Sequence, residues 1–485
     1  MCELDLPLKF AQKLYNEFAI RHPNAFYLRT RQRGMQNWDG KIHYITKTGQ
    51  FKIGLLPKVY DMCIEMGIKP KVVDMRQPLP KVSKVVTNIG KYKLRPEQEK
   101  AVKSVINNRV GDTPFHIGVL DYTVNAGKTL IMSSLYLSYK KQLKTLLITN
   151  DSDWLNQARE EFKQYLPGED ITFVQGKVLN WSNFTIGMVQ SISRNMRFYQ
   201  KELSQIDMVL IDEADQGGSK QYQNVITRLF NTRIRIGLSG TIYMSKLAKD
   251  RVKNMNLECF FGKVIAEFKL KDSIKKGYST KTVVKMVPGK PWYGNWESDC
   301  ISYKEIYDDS ITNCYTAWLM AYNRLLWNLN QGRYPALVVC KHIAHCENLY
   351  KFFKKKLGDA YNIAYVHVNT PSKLRQQIMK DFREGKIDIL VSTTIIARGK
   401  NFPKLRYLLN AASMDSQEKS IQFLGRLVRT DKSKKKVYLD DLHYPGPYLD
   451  RHGKHRKQYY QRQELKVILL DKLWKKHPNH SLIKS

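Results

Sequence analysis

The segment DYTVNAGKTL, residues 121–130, contains most of a phosphate-binding loop. The full pattern is a glycine, four residues and then Gly-Lys-Ser/Thr, and Gly127, Lys128 and Thr129 fill its last positions. Tyr122 occupies the position of the first glycine. The segment follows an apolar run and opens a predicted helix, so its backbone amides are suited to cradle phosphate oxygens there. We therefore expect Lys128 to contact the phosphates and the Thr129 hydroxyl to bind Mg²⁺.

A second motif, MVLIDEAD (208–215), places acidic residues at the end of an apolar strand. Ligands of open α/β sheets bind at the carboxyl ends of the strands, which is where Asp212 and Glu213 are predicted to lie. An Asp-Glu pair alone is often only a solvated turn. Downstream of a phosphate loop, however, Asp212 would hold Mg²⁺ through water, and Glu213 would orient and deprotonate the attacking water. The two motifs together predict a site that hydrolyses ATP.

Short apolar, β-branched runs alternate with helical patterns twice along the chain. Such alternation is typical of parallel sheets that are covered by helices on both faces. We therefore predict an α/β fold with two tandem parallel-sheet domains, in which segments such as 128–141 and 372–384 form connecting helices. The first series of runs covers 116–120, 145–149, 185–189, 208–212 and 234–239, and the second covers 336–340, 363–368, 388–393, 406–411 and 436–440.

The two ends of the chain have a different character. The N-terminal region mixes helical patterns at 8–20 and 57–67 with a predicted hairpin turn at Gly49, and a linker with proline and lysine follows at 76–84. Near the other end, the apolar pattern of ELKVILLDKLW (464–474) predicts a terminal helix. The predicted domains are a small α+β domain at 1–88, two α/β domains at 89–275 and 276–445, and a basic helical tail at 446–485.

The composition indicates a polyanionic partner. The 485-residue chain has 81 lysine and arginine residues against 44 acidic ones, which gives a formal net charge of +37. Nucleic acid is favoured over a membrane surface because the basic residues are spread along the chain. No apolar run approaches the roughly 20 residues that a membrane helix needs, and we identify no signal peptide.

Further segments complete an ordered set of motifs that resembles the superfamily 2 helicases and translocases. KLRPEQEKAV (93–102) is similar to the adenine-contacting segment, and MVQSI (188–192) is similar to a strand-contacting motif. GLSGT (237–241) resembles the motif that couples ATP state to nucleic acid. ILVSTTIIARGKNFP (389–403) and QFLGRLVR (422–429) resemble motifs V and VI. The resemblance implies two tandem RecA-like domains that use ATP and Mg²⁺.

The resemblance also implies roles for individual residues. In this superfamily the first glycine of the loop is commonly replaced, so Tyr122 is compatible with activity if its side chain points away from the nucleotide. The implied catalytic residues are Lys128, Asp212, Glu213, Arg426 and Arg429, with Thr129 and Asp212 as the Mg²⁺ ligands. ATP binding is implied for Arg95, Gln98, Thr123, Ala126, Gly127, Lys128, Thr129, Gly399 and Gln422. Coupling is implied for Ser239 and Thr241, and polymer contacts for Gln190, Ser191 and Thr393.

The N-terminal region extends the resemblance to the UvsW-type phage helicases. FYLRTRQRGMQNWDGKIHYI (26–45) and GLLPKVYDMCIEMG (54–67) are similar to the small N-terminal domain of that group. Trp38 either stacks on an unpaired base at a junction or packs the core of this small domain. Alternating arginines in a strand-like stretch are expected to face DNA phosphates. These are Arg29, Arg31 and Arg33.

The family implies ATP-driven remodelling of branched DNA, by branch migration, fork regression or unwinding of displacement loops and R-loops, in recombination, repair or replication. We expect a monomeric DNA helicase that acts on branched, duplex or single-stranded DNA, with recombination or replication proteins as partners and no membrane. It would act in the cytoplasm, that of the host cell if a phage encodes it. One alternative is an RNA helicase, although Ser-Gly-Thr at 239–241 differs from the Ser-Ala-Thr of the DEAD-box family. The other is a nucleic-acid-dependent ATPase that clamps or anneals strands.

Overall fold

The chain forms two compact units, Met1–Phe268 and Lys269–Ser485, which we call the N-terminal and C-terminal units. The computed structural model describes residues 2–5, 7–31, 34–139, 142–176, 180–242, 250–289, 302–397 and 402–470. In these segments no helix has both the length and the apolar character needed to span a bilayer. The units divide at Phe268, whereas the sequence placed the division between the two α/β domains after residue 275.

A small α+β region begins the N-terminal unit. The predicted turn is confirmed, because Gly49 has a φ of 82° and Ile45 forms an antiparallel bridge with Phe51. Phe51 belongs to a buried cluster that also contains Phe260 of the first sheet domain, so this region shares its core with that domain. The elements are α1 (Leu8–Glu17), β1 (Ala19–Arg21), α2 (Ala25–Arg31), β2 (Lys41–His43), which pairs antiparallel with β1, and α3 (Leu56–Glu65).

The strand-like interpretation of the N-terminal arginines is wrong. Arg29 and Arg31 lie on helix α2, where the Thr30 hydroxyl donates to the carbonyl of Phe26 at 3.0 Å. Residues two positions apart on a helix do not face each other, so these side chains do not line one face as they would on a strand. Arg33 lies outside the described residues.

The first sheet is parallel and seven-stranded, with the spatial order β13-β7-β12-β11-β8-β10-β9. All five runs of the first predicted series are strands of this sheet, which confirms that part of the fold. Before the sheet come the hairpins β3 (Asn88–Ile89) with β4 (Tyr92–Lys93) and β5 (Arg109–Val110) with β6 (Thr113–Pro114), and between them α4 (Pro96–Ile106). The strands are β7 (Ile117–Tyr122), β8 (Thr145–Thr149), β9 (Ile171–Val174), β10 (Phe184–Met188), β11 (Met208–Asp212), β12 (Ile234–Ser239) and β13 (Val264–Phe268). The helices are α5 (Lys128–Ser138), α6 (Ser152–Tyr165), α7 (Val189–Arg194), α8 (Gln200–Ser204), α9 (Lys220–Ile226) and α10 (Arg251–Phe261).

Gly54 allows the N-terminal region to approach the first sheet domain closely. It lies in the 3-10 turn Ile53–Leu55, which packs on α10. A Cβ atom at this position would lie 2.0 Å from the carbonyl oxygen of Glu258, far inside van der Waals contact. The other nearest atoms belong to the backbone of Cys259. Because backbone atoms cannot rotate aside, a larger residue would push the turn away from α10.

The second sheet is also parallel and seven-stranded, with the order β16-β17-β15-β18-β19-β14-β20. All five runs of the second predicted series contribute strands to it. The strands are β14 (Lys281–Pro288), β15 (Ala336–Cys340), β16 (Ile363–Val366), β17 (Ile389–Thr393), β18 (Tyr407–Asn410), β19 (Lys436–His443) and β20 (Val467–Leu469). The helices are α11 (Leu270–Lys275), α12 (Tyr303–Tyr307), α13 (Tyr315–Leu329), α14 (Ile343–Leu357), α15 (Ser372–Glu384), α16 (Gln417–Leu427) and α17 (Leu449–Arg462).

The prediction of a helix at 464–474 is wrong within the described residues. Residues Val467–Leu469 form the edge strand β20, which pairs in parallel with Val284–Met286 of β14. The run contains β-branched residues, and pairing with the sheet satisfies the backbone groups of an otherwise exposed β14 edge. The helix of the tail lies earlier, as α17.

A buried ion pair attaches α17 to β19. The side chains of Arg456 and Asp441 are both fully buried, and the guanidinium contacts the carboxylate at 2.8 Å. Tyr460 and Asn410 donate further hydrogen bonds to Asp441, at 2.7 and 2.8 Å. Arg456 also donates to the backbone carbonyl of Leu442 at 2.8 Å, so the charges are compensated on both sides.

Replacing Arg456 with methionine is expected to lower the free energy of unfolding by about 3–5 kcal/mol, because it leaves the Asp441 carboxylate buried without its cation. Gln458→Met is the matched control, since Gln458 lies exposed on the same helix and should change stability by no more than about 0.5 kcal/mol. Urea denaturation of the full chain measures both variants. Equal stability of Arg456→Met and the control would contradict this account of α17.

Candidate nucleotide-binding site

The loop after β7 has the shape of a phosphate cradle. β7 is buried along its whole length, and α5 begins at Lys128. Asn125 and Gly127 have left-handed backbones, with φ values of 65° and 72°, which curl the chain between strand and helix. The left-handed backbone of Gly127 favours glycine, and a Cβ atom there would also lie 2.3 Å from Nε2 of Gln98.

Gln98 supports this loop directly. Its Nε2 donates to the carbonyl of Ala126 at 2.8 Å, and its Oε1 accepts from the amide of Arg95 at 2.8 Å. The Arg95 guanidinium also donates to the carbonyl of Asn125 at 3.5 Å. The structure therefore brings Arg95, Gln98 and Ala126 together, and the buried Thr123 begins the same loop by donating its amide to Phe268 at 3.0 Å. Their contacts with adenine and phosphate stay predictions.

Tyr122 points into the interior of the domain. Its side chain is fully buried, and its hydroxyl donates to the carbonyl of Glu97 in α4 at 2.7 Å. The ring lies 6.0 Å from that of Phe268, and burial raises the pKa of the phenol. Tyr122 is therefore a core residue that links β7 with α4 and β13, and the cradle is built by the residues after it.

The acidic motif faces the start of α5. Nζ of Lys128 lies 3.9 Å from Oδ1 of Asp212, the last residue of β11. Burial raises the pKa of Asp212, and the charge of Lys128 opposes that shift. Glu213 follows with a left-handed backbone, at a φ of 53°, which is costly for a residue with a side chain and common at functional sites.

The donor set fits Mg²⁺. Oδ1 of Asp212 is buried and accepts no hydrogen bond from the described part of the chain. Carboxylate and hydroxyl oxygens are the ligands that this small, hard cation takes, and Thr129 supplies the hydroxyl at the start of α5. Asp212 and Thr129 are thus the residues that would hold the ion.

The end of β12 fills the space between the loop and the acidic motif, because β12 lies between β7 and β11 in the sheet. The Ser239 hydroxyl donates to Asp215 at 2.9 Å and lies 3.1 Å from the Thr241 hydroxyl. A Cβ atom on Gly240 would lie 3.0 Å from Cα of Thr123, in the loop. Of the predicted coupling residues, Ser239 therefore contacts the acidic motif. The close approach to the loop belongs to Gly240, which the sequence motif did not single out.

Asn150 connects the acidic motif with the predicted polymer-contacting helix α7. It follows β8, its amide donates to the side chain of Gln216, and its carbonyl accepts from Gln190 at 3.4 Å. The Ser191 hydroxyl accepts from the amide of Gly176 at 3.0 Å. Sequence reasoning missed Asn150, although its position at the carboxyl end of a buried strand was a usable signal.

In the C-terminal unit, Thr393 closes β17 and is buried. The ammonium of Lys419 donates to the hydroxyl of the next residue, Thr394, at 3.2 Å, which ties motif V to α16. Gln422 and Arg426 lie on α16 and are partly exposed.

Arg429 lies just beyond α16, with its carbonyl accepting from the Thr280 hydroxyl at 3.2 Å. The predicted motif residues of this unit are thus grouped around β17 and α16. Gly399 lies outside the described residues.

Trp38 has a packing role in the structure. Its indole N–H donates to the carbonyl of Lys41 at 2.8 Å, and its ring meets that of His22 edge to face at 5.7 Å. The side chain is partly buried, and its stacking on a base stays a prediction.

Two protein families match the chain. Residues 91–244 match the family described as the res subunit of type III restriction enzymes, and residues 319–431 match the helicase conserved C-terminal domain. The ATP-dependent DNA helicase uvsW of Enterobacteria phage T4 is 22% identical over 452 residues, which are 84% of this chain and 82% of that protein. Helicase 22 of Sulfolobus islandicus filamentous virus is 22% identical over 385 residues, which are 73% of this chain and 64% of that protein. The chain therefore spans less than two thirds of this viral relative.

Solved structures share the fold at low sequence identity. The ATP-dependent Type ISP restriction-modification enzyme LlaBIII bound to DNA gives a TM-score of 0.59 at 14% identity, covering 79% of this chain and 32% of that one. Dbp5 of S. cerevisiae bound to RNA and ADP BeF3 gives 0.53 at 15% identity, covering 79% of this chain and 92% of that one. At these identities the likeness shows the fold alone.

The chain has two tandem seven-stranded parallel sheets, and the first carries a phosphate loop after β7 and the Asp212-Glu213 pair at the end of β11. These features define an ATP-using protein of the RecA-like type. The matched helicase families and relatives make the class more specific. The chain belongs to the superfamily 2 helicases and resembles their UvsW-type members.

Gly240→Ala is expected to weaken nucleotide binding about tenfold, because the new methyl group must displace the backbone of the phosphate loop. Gly218→Ala is the control, since a Cβ atom there meets nothing closer than 3.7 Å. Calorimetric titration with a non-hydrolysable ATP analogue compares the two variants. Wild-type affinity in Gly240→Ala would show that the loop does not depend on this contact.

Proposed function

We propose that the protein is an ATP-dependent DNA helicase or translocase that remodels branched DNA. The observation that carries the proposal is the approach of Lys128 to Asp212, at 3.9 Å, beside a glycine-shaped phosphate cradle. The choice of DNA is supported by the similarity to phage T4 uvsW, a DNA helicase by name, over 84% of this chain. The net charge of +37 supports a polyanionic substrate of either kind.

In the proposed reaction, each residue of the cradle has a separate task. The amides of the loop and Lys128 bind the phosphates, and Asp212 and Thr129 hold the ion. Glu213 orients the attacking water and accepts its proton. A Mg²⁺ ion held by these residues would supply positive charge to the phosphate oxygens. Arg426 and Arg429 are assigned from the motif resemblance to stabilise the same developing charge.

The hydrogen bonds of the N-terminal unit provide a route from polymer to nucleotide. Asn150 contacts both Gln190 on α7 and Gln216, the residue that follows the acidic motif, and Asp215 of that motif is bonded to Ser239. A polymer that displaces α7 would therefore move groups next to the phosphate loop. Such a chain of contacts couples polymer binding to the nucleotide site when its elements have two discrete arrangements.

Glu213→Gln and Lys128→Ala are each expected to lower ATP turnover by at least a hundredfold. The first variant removes the general base, and the second removes the positive charge that binds the phosphates. ATP-driven dissociation of a four-way DNA junction should be lost with it. Lys100→Ala removes an exposed lysine from α4 and serves as the control for charge. Strand products resolved by gel, with hydrolysis measured in the same reactions, test the proposal. Turnover without strand separation in the wild type would favour the clamp or annealing alternative.

A further inference from the structure

Lysines of two neighbouring strands lie opposite each other at the amino edge of the second sheet. Lys281 begins β14 and Lys436 begins β19, and the two are paired directly in the parallel register of these strands. Both side chains are exposed. Like charges in directly opposed positions destabilise a sheet, so this pairing needs a compensating interaction.

Further cations surround an exposed tryptophan beside these lysines. Trp327 on α13 is 42% exposed, and its ring lies 4.7 Å from Nζ of Lys285 and 4.7 Å from the Arg333 guanidinium. The same guanidinium lies 3.6 Å from the ring of Tyr438, which is on β19. The aromatic faces hold the cations in place through cation–π attraction.

The nearby acid does not neutralise this group. Asp440 is buried and is already bonded to Arg324, at 2.6 Å, and to Asn328 and Tyr407. Within the described segments, no carboxylate comes within 4.0 Å of the patch cations Lys281, Lys285, Arg333 and Lys436. Burial lowers the pKa of Lys285, the charge of Asp440 opposes that shift, and the neighbouring cations add smaller contributions that lower it further.

We propose that this group, the basal patch, binds the phosphate backbone of nucleic acid. It consists of Lys281, Lys285, Trp327, Arg333, Lys436 and Tyr438. This inference rests on the proposed function, from which it takes nucleic acid as the polyanion. It adds a binding surface that none of the sequence motifs assigns. Phosphates supply the negative charge that the patch lacks, and lysine and arginine side chains are the groups that contact them.

The basal patch is separate from the predicted polymer contacts of the same unit. Thr393 lies at the carboxyl end of β17, whereas Lys281 and Lys436 lie at the amino ends of their strands. The eight residues of β19 span roughly 26 Å, so the two regions are at opposite edges of the sheet. A second phosphate contact of this kind would let a branched substrate be held by more than one arm.

The double variant Lys281→Gln/Lys436→Gln tests the basal patch. Affinity for a duplex and for a four-way DNA junction is measured without ATP, between about 50 and 200 mM salt. Each lost phosphate contact should reduce the slope of log affinity against log salt by about 0.9, which gives about 1.8 for the double variant. Because both side chains are exposed and repel each other, the fold should be retained, as circular dichroism will verify.

Lys355→Gln/Lys356→Gln is the matched control for net charge. These lysines are exposed on α14, which packs mainly on β16 and β17. Those strands lie four to five strand spacings, or roughly 19–24 Å, from β14. The control should keep the wild-type slope. An unchanged slope for the patch variant, or an equal loss in both variants, would overturn the proposal.

The same samples distinguish this inference from the proposed function. Binding without ATP reports on the basal patch whether or not the protein hydrolyses ATP or separates strands. Vesicles rich in anionic phospholipid serve as a competing polyanion. If the patch variant lost only vesicle binding and kept its DNA slope, the patch would be a lipid site and our assignment would be wrong.

Discussion

The position of β12 between β7 and β11 is the constraint on which the candidate site depends. It separates the phosphate loop from the acidic motif by one strand, so that Lys128 reaches Asp212 while leaving room at the end of β12. Gly240 lies close to the loop there, since a Cβ atom on it would be 3.0 Å from Cα of Thr123. Ser239 then bonds to Asp215, and three motifs far apart in the sequence become one packed group.

The loop keeps the shape of a phosphate cradle although its first glycine is replaced by Tyr122. Strand β7 continues to Tyr122, whose ring is buried in the domain and whose hydroxyl donates to the carbonyl of Glu97. The curl that the loop needs is supplied later, by the left-handed backbones of Asn125 and Gly127. Gln98 stabilises the loop by donating to the carbonyl of Ala126. Its sequence motif implies only a contact with adenine.

Much of the fold could be predicted because buried parallel strands are nearly continuous apolar runs. Strands such as β8, β11, β15 and β17 are fully buried and stand out clearly from the helices between them. The sequence predicts a helix where the edge strand β20 lies, because a short apolar run has no periodicity that distinguishes a strand from a helix. Arg29 and Arg31 were misplaced for the opposite reason, since alternation over a few residues also occurs by chance on a helix.

The site was predictable where chemistry requires particular residue types at particular spacings, as with Lys128, Thr129 and Asp212. It was not predictable where a contact depends on packing between distant segments. Asn150 and Gly240 have no motif of their own, and their contacts exist only because β8 and β12 end beside β11. The direction of the Tyr122 side chain belongs to the same class, since it is set by α4 and β13.

The most direct test of the central claim is steady-state ATP hydrolysis by the full chain with Mg²⁺ and a matched set of polymers. The set comprises no polymer, single-stranded DNA, duplex DNA, a four-way DNA junction and single-stranded RNA. The account predicts low turnover alone and the strongest stimulation by the junction or the duplex. Stimulation by RNA alone would contradict the assignment to DNA, and absence of hydrolysis with every polymer would contradict the assignment of the ATP site.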